Sequence, residues 1–121
     1  MFILILGVTA AIADEILPYA SEEINSSSVT LLATKKIVYN VSLTQPIYNV
    51  KVNYCKLYRQ TDAGRWVFLG DLTYAIPKEK TGNLHAAYDL SRDIDVSGTY
   101  QVRVSITSGN TTVYHSPTRT Y

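Results

Sequence analysis

The sequence predicts an all-β chain folded as an antiparallel β-sandwich of about seven strands. Three observations carry this. Apolar residues recur at every second position through most of the chain, the period of a half-buried strand. Turn residues interrupt that alternation about every 8–12 residues. No stretch of useful length carries the period of an amphipathic helix.

The elements follow in order. Residues 14–28 are polar, with Pro18 and the run Asn25-Ser26-Ser27-Ser28, and predict an irregular lead before the sandwich of residues 29–121. Residues 29–34 (VTLLAT) predict a short first strand. Residues 36–43 (KIVYNVSL) place Tyr39, Val41 and Leu43 on one face. Pro46 breaks the run. Residues 47–59 carry Val50 and Val52 in one phase and Cys55 and Leu57 in the other. A slip of one residue near Asn53-Tyr54 predicts a β-bulge. Thr61-Asp62-Ala63-Gly64 predicts a hairpin loop with Gly64 free to take positive φ. Residues 66–72 (WVFLGDL) return as its partner strand. Residues 73–83 hold Pro77, Gly82 and three charges, and predict a long solvated connector. Residues 84–90 put Ala86, Tyr88 and Leu90 in phase. Residues 99–107 (TYQVRVSIT) alternate best, with Tyr100, Val102, Val104 and Ile106 facing in and Gln101, Arg103, Ser105 and Thr107 facing out. Residues 111–115 form the last strand before Pro117.

Asp95-Val96-Ser97-Gly98-Thr99-Tyr100-Gln101-Val102 resembles the tyrosine corner of immunoglobulin-like domains. There a Tyr near the start of a strand bonds through its hydroxyl to upstream backbone and locks the corner. Tyr100 stands in that place, Gly98 allows the tight turn, and Val102 occupies the position of the disulfide cysteine, as in fibronectin-type sandwiches. The resemblance implies an immunoglobulin- or fibronectin type III-like sandwich.

Residues 1–13 (MFILILGVTAAIA) form an apolar run without a charged side chain, ending small-x-small before Asp14-Glu15. This pattern predicts a secretory signal peptide. It is too short to span a bilayer, and no second such run predicts a transmembrane span after cleavage. Signal peptides open with Lys or Arg, and this run does not, so a basic segment is expected upstream of Met1. The chain is therefore expected to be secreted or held at the cell surface.

Composition narrows the partners. The net charge is +1 and the charged residues, 17% of the chain, are interspersed. A nucleic-acid-binding protein would show a basic stripe, so no nucleic acid is expected. The single cysteine, Cys55, forbids an internal disulfide. Its inward phase with Leu57 predicts a buried structural thiol.

Three segments together are similar to a family of small secreted proteins from Firmicutes, a domain of unknown function. Ala13-Asp14-Glu15-Ile16-Leu17-Pro18-Tyr19-Ala20-Ser21 is similar to its A-D-E-I-x-P-x-A-S start. Cys55-Lys56-Leu57-Tyr58-Arg59 with Trp66 is similar to its hairpin, and Gly98-Thr99-Tyr100 with Thr118-Arg119-Thr120-Tyr121 to its end. The resemblance implies export and a sandwich, and implies no activity. Cys55 stands where the family has an aliphatic residue.

Chemistry-bearing patterns are few. Asp93-Ile94-Asp95-Val96-Ser97-Gly98 opens like a calcium loop, with Asp89 as a further carboxylate. The position that needs a bidentate acid is Val104, so the loop is incomplete and a metal is disfavoured. Cys55 with His85 or His115 lacks a protease signature, and no cofactor is expected. Tyrosine is abundant, at 10 residues. Trp66, Tyr48, Tyr58, Tyr74 and Tyr114 are the candidate exposed aromatics, suited to stacking on sugars or anchoring a protein. The expected function is non-enzymatic: a binding module for a protein or glycan. A secreted hydrolase or metal-dependent enzyme, and a structural envelope component, are the alternatives.

Export should remove residues 1–13. Intact-mass analysis of protein from culture supernatant should show Asp14 as the N-terminus; a secreted species retaining Phe2 would overturn this.

Overall fold

The computed structural model describes residues 23–121 and the backbone of Ile16–Leu17. The expected signal peptide and residues 14–15 and 18–22 of the expected lead lie outside the described residues. Among the described residues ten strands run in order: β1 (Ile16–Leu17), β2 (Ile24–Leu31), β3 (Lys36–Leu43), β4 (Asn49–Gln60), β5 (Trp66–Asp71), β6 (Lys80–Thr81), β7 (Leu84–Asp89), β8 (Thr99–Ser108), β9 (Thr111–His115) and β10 (Thr118–Thr120). Seven of these are five residues or longer: β2, β3, β4, β5, β7, β8 and β9. The only helical element among the described residues is a single 3-10 turn, Thr73–Ala75.

All pairings are antiparallel. One sheet runs β1-β2-β3-β7. The other runs β9-β8-β4-β5, with β10 beside β8 and β6 beside β4. The sheets pack face to face as a β-sandwich. Alternation along each strand fills the space between them. β3 contributes Ile37, Tyr39 and Val41, β4 contributes Val50, Val52, Cys55 and Leu57, and β8 contributes Tyr100, Val102, Val104 and Ile106.

The phase slip in β4 is a bulge. Against β8, Val52 pairs with Ile106 and Tyr54 with Ser105, leaving Asn53 as the extra residue. Asn53 turns outward and donates to Ser105 and Thr107 hydroxyls at 3.1 and 2.7 Å. The bulge therefore lets one strand supply the core in both of its phases. Gly64 takes φ +84° in the hairpin loop, as its place predicts.

The tyrosine corner is formed. The Tyr100 hydroxyl donates to the Val96 carbonyl at 2.8 Å. Arg59 reaches under the turn, donating to the Ser97 carbonyl at 2.7 Å, with its guanidinium carbon 5.9 Å from the Tyr100 ring centre. A Cβ on Gly98 would come within 2.7 Å of Arg59 Nε. That close approach, together with the φ of +156°, is why the position needs glycine. Gly98 also exchanges two backbone hydrogen bonds with Tyr121. Val102 is fully buried opposite Leu57.

Several expectations change. The first long strand starts at Ile24, not at residue 29, and ends at Leu31. The Asn-Ser-Ser-Ser run is extended because β3 pairs along it, and β1 pairs with Ser27 and Ser28 on the other side. Ladder bonds on both sides override a weak local preference for turns. Residues 73–83 are a connector broken by the 3-10 turn and β6. Gln101 and Ser105 face outward yet are buried, because β8 is an interior strand and its neighbours' side chains cover them. Tyr88 is half-buried, edge-on to Tyr39 at 6.3 Å.

Tyr100→Phe should lower stability by about 1 kcal/mol, since the Val96 carbonyl loses its partner at a half-buried site. An unchanged urea midpoint would show that the corner bond contributes nothing.

Candidate functional site

The outer face of the β9-β8-β4-β5 sheet gathers two exposed aromatic residues, Phe68 and Tyr114, and three half-buried ones, Tyr54, Tyr58 and Trp66. Strand register places them in rows. Tyr114, Ser105 and Tyr54 lie abreast on β9, β8 and β4. The next outward row holds Arg103, Lys56 and Asp71. After it come Thr118, Gln101, Tyr58 and Phe68. Gln60 and Trp66 close the face at the hairpin. Successive rows are about 7 Å apart along the strands.

The rings are held in place. Tyr58 and Phe68 meet edge to face with centres 5.5 Å apart. Arg103 lies over the Tyr58 ring at 3.9 Å and donates through Nε to Gln101 at 2.7 Å. Lys56 lies over the Tyr54 ring at 4.9 Å. Tyr114 is 63% exposed and Phe68 51%. β5 is an edge strand that pairs only with β4, so Val67 and Leu69 are also exposed.

Of the five aromatic residues singled out in the sequence, this face unites Trp66, Tyr58 and Tyr114. Tyr48 lies in the loop before β4, off the aromatic rows, where it lines a shallow groove with Ile47, Glu79, Lys51 and Thr107 at the far end of the same face. Tyr74 sits on the 3-10 turn. Its hydroxyl donates to the Asp93 carboxylate and its ring faces the Arg92 guanidinium at 4.6 Å. Desolvation and the Asp93 bond push its pKa up to about 12, so it serves as a donor that fixes the loop. Sequence reasoning missed Tyr54, Phe68, Lys56 and Arg103. The bulge at Asn53 was the available signal: it turns Tyr54, Lys56 and Tyr58 to one side, and pairing brings Phe68 beside Tyr58.

The carboxylates do not converge. Asp89 accepts from the Ser91 amide at 2.9 Å and from its hydroxyl at 2.5 Å, which lowers its pKa. Asp93 is engaged by Tyr74, and Asp95 is exposed in the turn. Among the described residues no group of three His, Cys, Asp or Glu side chains is placed to hold a metal ion.

Cys55 and His115 face inward, and His85 lies apart from both on the surface. Cys55 is fully buried and receives the Tyr39 hydroxyl at 3.2 Å. Burial pushes its pKa up to about 11, so it is a thiol and no nucleophile. His85 bonds to Asn40 on the surface of the other sheet. His115 Nε2 lies 2.7 Å from Ser27 Oγ, joining β9 to β2. A serine–histidine pair suggests hydrolysis, but Ser27 is 1% and His115 2% exposed, so no substrate reaches them. His115 Nδ1 is buried with no hydrogen-bond partner among the described residues. No third group orients the ring as a catalytic base requires.

No protein family, curated protein or solved structure matches the chain. No helix among the described residues is long and apolar enough to cross a membrane.

Burial pushes the pKa of His115 down from 6.5 to about 4. As pH falls through that window, the unfolded chain takes up a proton that the folded chain refuses. Stability is therefore full above pH 6.5 and falls by about 1.4 kcal/mol per unit, roughly 3 kcal/mol in all, down to pH 4. Urea midpoints measured across this range should fall steeply in the native chain and less in His115→Gln. Parallel curves would show that His115 does not set the acid limit.

Proposed function

We propose that the chain is an exported, non-enzymatic binding module whose ligand is a glycan lying across the outer face of the six-stranded sheet. The observation that supports it best is the gathering of Tyr114, Tyr54, Tyr58, Phe68 and Trp66 on one solvent-facing surface, while Cys55 and the Ser27–His115 pair are turned into the core. Beside the rings stand Thr107, Thr112, Asn53 and Thr118, donors and acceptors suited to sugar hydroxyls. Rings of this kind stack on the apolar faces of sugars. A protein ligand is the second reading, favoured by the exposed apolar run Val67-Phe68-Leu69. The strand orders β2-β3-β7 and β9-β8-β4-β5, together with the Tyr100 corner, support the immunoglobulin- or fibronectin-like type.

The test is retention of the full chain on a panel of immobilised polysaccharides, neutral and acidic. At least one should bind, and the Tyr58→Ala/Trp66→Ala double variant should weaken it about tenfold or more. Tyr74→Ala, away from the face, should bind as the native chain does. No retention on any polysaccharide, or equal retention of the double variant, would overturn the glycan reading.

A further inference from the structure

Lys56 and Arg103 are direct cross-strand neighbours on β4 and β8. Like charges placed so close on one face destabilise a sheet pair. Here they lean apart, Lys56 onto Tyr54 in one row and Arg103 onto Tyr58 in the other. Neither forms an ion pair among the described residues. Asp71, the single acid in these rows, stands across from Lys56 on the edge strand, yet Lys56 lies on the Tyr54 ring and forms no ion pair with it. Lys51 adds a third cation two rows away, across from Thr107.

Arg103 is set for recognition. Stacking on Tyr58 fixes its plane, and Gln101 holds Nε. Gln101 is itself oriented by donating to the Thr118 hydroxyl at 3.2 Å. The two terminal nitrogens of Arg103 make no hydrogen bond among the described residues. A guanidinium held flat by a ring, with its outer donors open, matches the two oxygens of a carboxylate or sulfate.

Resting on the binding-face reading above, we infer that Lys56 and Arg103 form an oxyanion site and that the ligand is an acidic glycan. The cation row lies between two aromatic rows, so a chain crossing the face meets ring, charge, ring. β4 and β8 are interior strands whose backbone is already paired, so recognition goes through side chains. That suits a polysaccharide better than an acidic peptide, which gains its main-chain bonds at a free sheet edge.

Isothermal titration calorimetry of the full chain tests this with four probes: polygalacturonate, dextran sulfate, neutral dextran and poly-L-glutamate. One or both acidic polysaccharides should bind, the first reporting carboxylate and the second sulfate recognition, and added salt should weaken them. Arg103→Gln and Lys56→Gln should each weaken binding about tenfold. Arg103→Lys should not restore it, because the planar fork is lost. Lys56→Gln removes a like-charge neighbour and should not lower Tm, so it reports on binding even where Arg103→Gln unfolds. Failure of both acidic polysaccharides to bind, or native affinity in Lys56→Gln, would overturn the site. Tighter binding of poly-L-glutamate would overturn the glycan assignment. Dextran binding as tight as that of the acidic polysaccharides, and lost in Tyr58→Ala, would sink the oxyanion site while leaving the face reading intact.

Discussion

The β4–β8 pairing is the interaction on which the rest depends. Its inner residues, from Val52 and Ile106 at one end to Leu57 and Val102 at the other, form the floor of the core. Its outer residues, Tyr54, Lys56, Tyr58, Gln101 and Arg103, are the candidate face. Both surfaces share one register. A slip of a single residue would turn the aromatic rows inward and the valines to solvent. Burial of each large apolar side chain, worth about 1.5–3 kcal/mol, therefore fixes the geometry of the face as well as the stability of the core.

Without a disulfide, the two sheets are joined by apolar packing and a few polar contacts between them. Tyr39 on β3 reaches Cys55 on β4 near the centre. Along β2, His115 meets Ser27, and Arg119 on β10 donates to the Leu31 carbonyl at 3.2 Å. These contacts differ in their sensitivity. The Tyr39–Cys55 bond joins two groups whose burial keeps both protonated, so it persists at neutral pH. The His115 contact depends on a neutral imidazole, so the contact between β2 and β9 is where acid enters the energetics.

The fold was readable because its signals are local. Alternation in β8, the break at Pro46, the slip at Asn53 and the turn at Gly98 each announce themselves within a few residues. The start of β2 was not readable. Ser26, Ser27 and Ser28 have no strand preference of their own, and their place is decided by β3 and by His115, 88 residues away. The site was half-readable for the same reason. Trp66, Tyr58 and Tyr114 could be named as candidate surface aromatics, although Tyr58 and Trp66 prove half-buried, but nothing near Tyr74 in sequence says that it lies off the face. The pairing of Lys56 with Arg103 joins residues from distant strands and is invisible until register is known.

The cation row also explains the bulge. A regular β4 would have to keep a single phase from Val50 onward, and that phase would send Lys56 into the core and Cys55 out. A charged ammonium there would be unpaired and desolvated, at a cost far above the loss of ladder bonds at one bulge. Asn53 takes the extra position because its amide can satisfy the Ser105 and Thr107 hydroxyls where the ladder is interrupted. The bulge thus exchanges a local defect in pairing for a sheet with valine, cysteine and leucine beneath and tyrosine, lysine and arginine above. Like-charge repulsion between Lys56 and Arg103 remains in that arrangement and is reduced by the flanking Tyr54 and Tyr58 rings. A chain selected for stability alone would gain by placing a carboxylate or a threonine at either position. Two cations kept opposite each other, each resting on a ring and neither paired with an acid, are better accounted for by a ligand than by the fold.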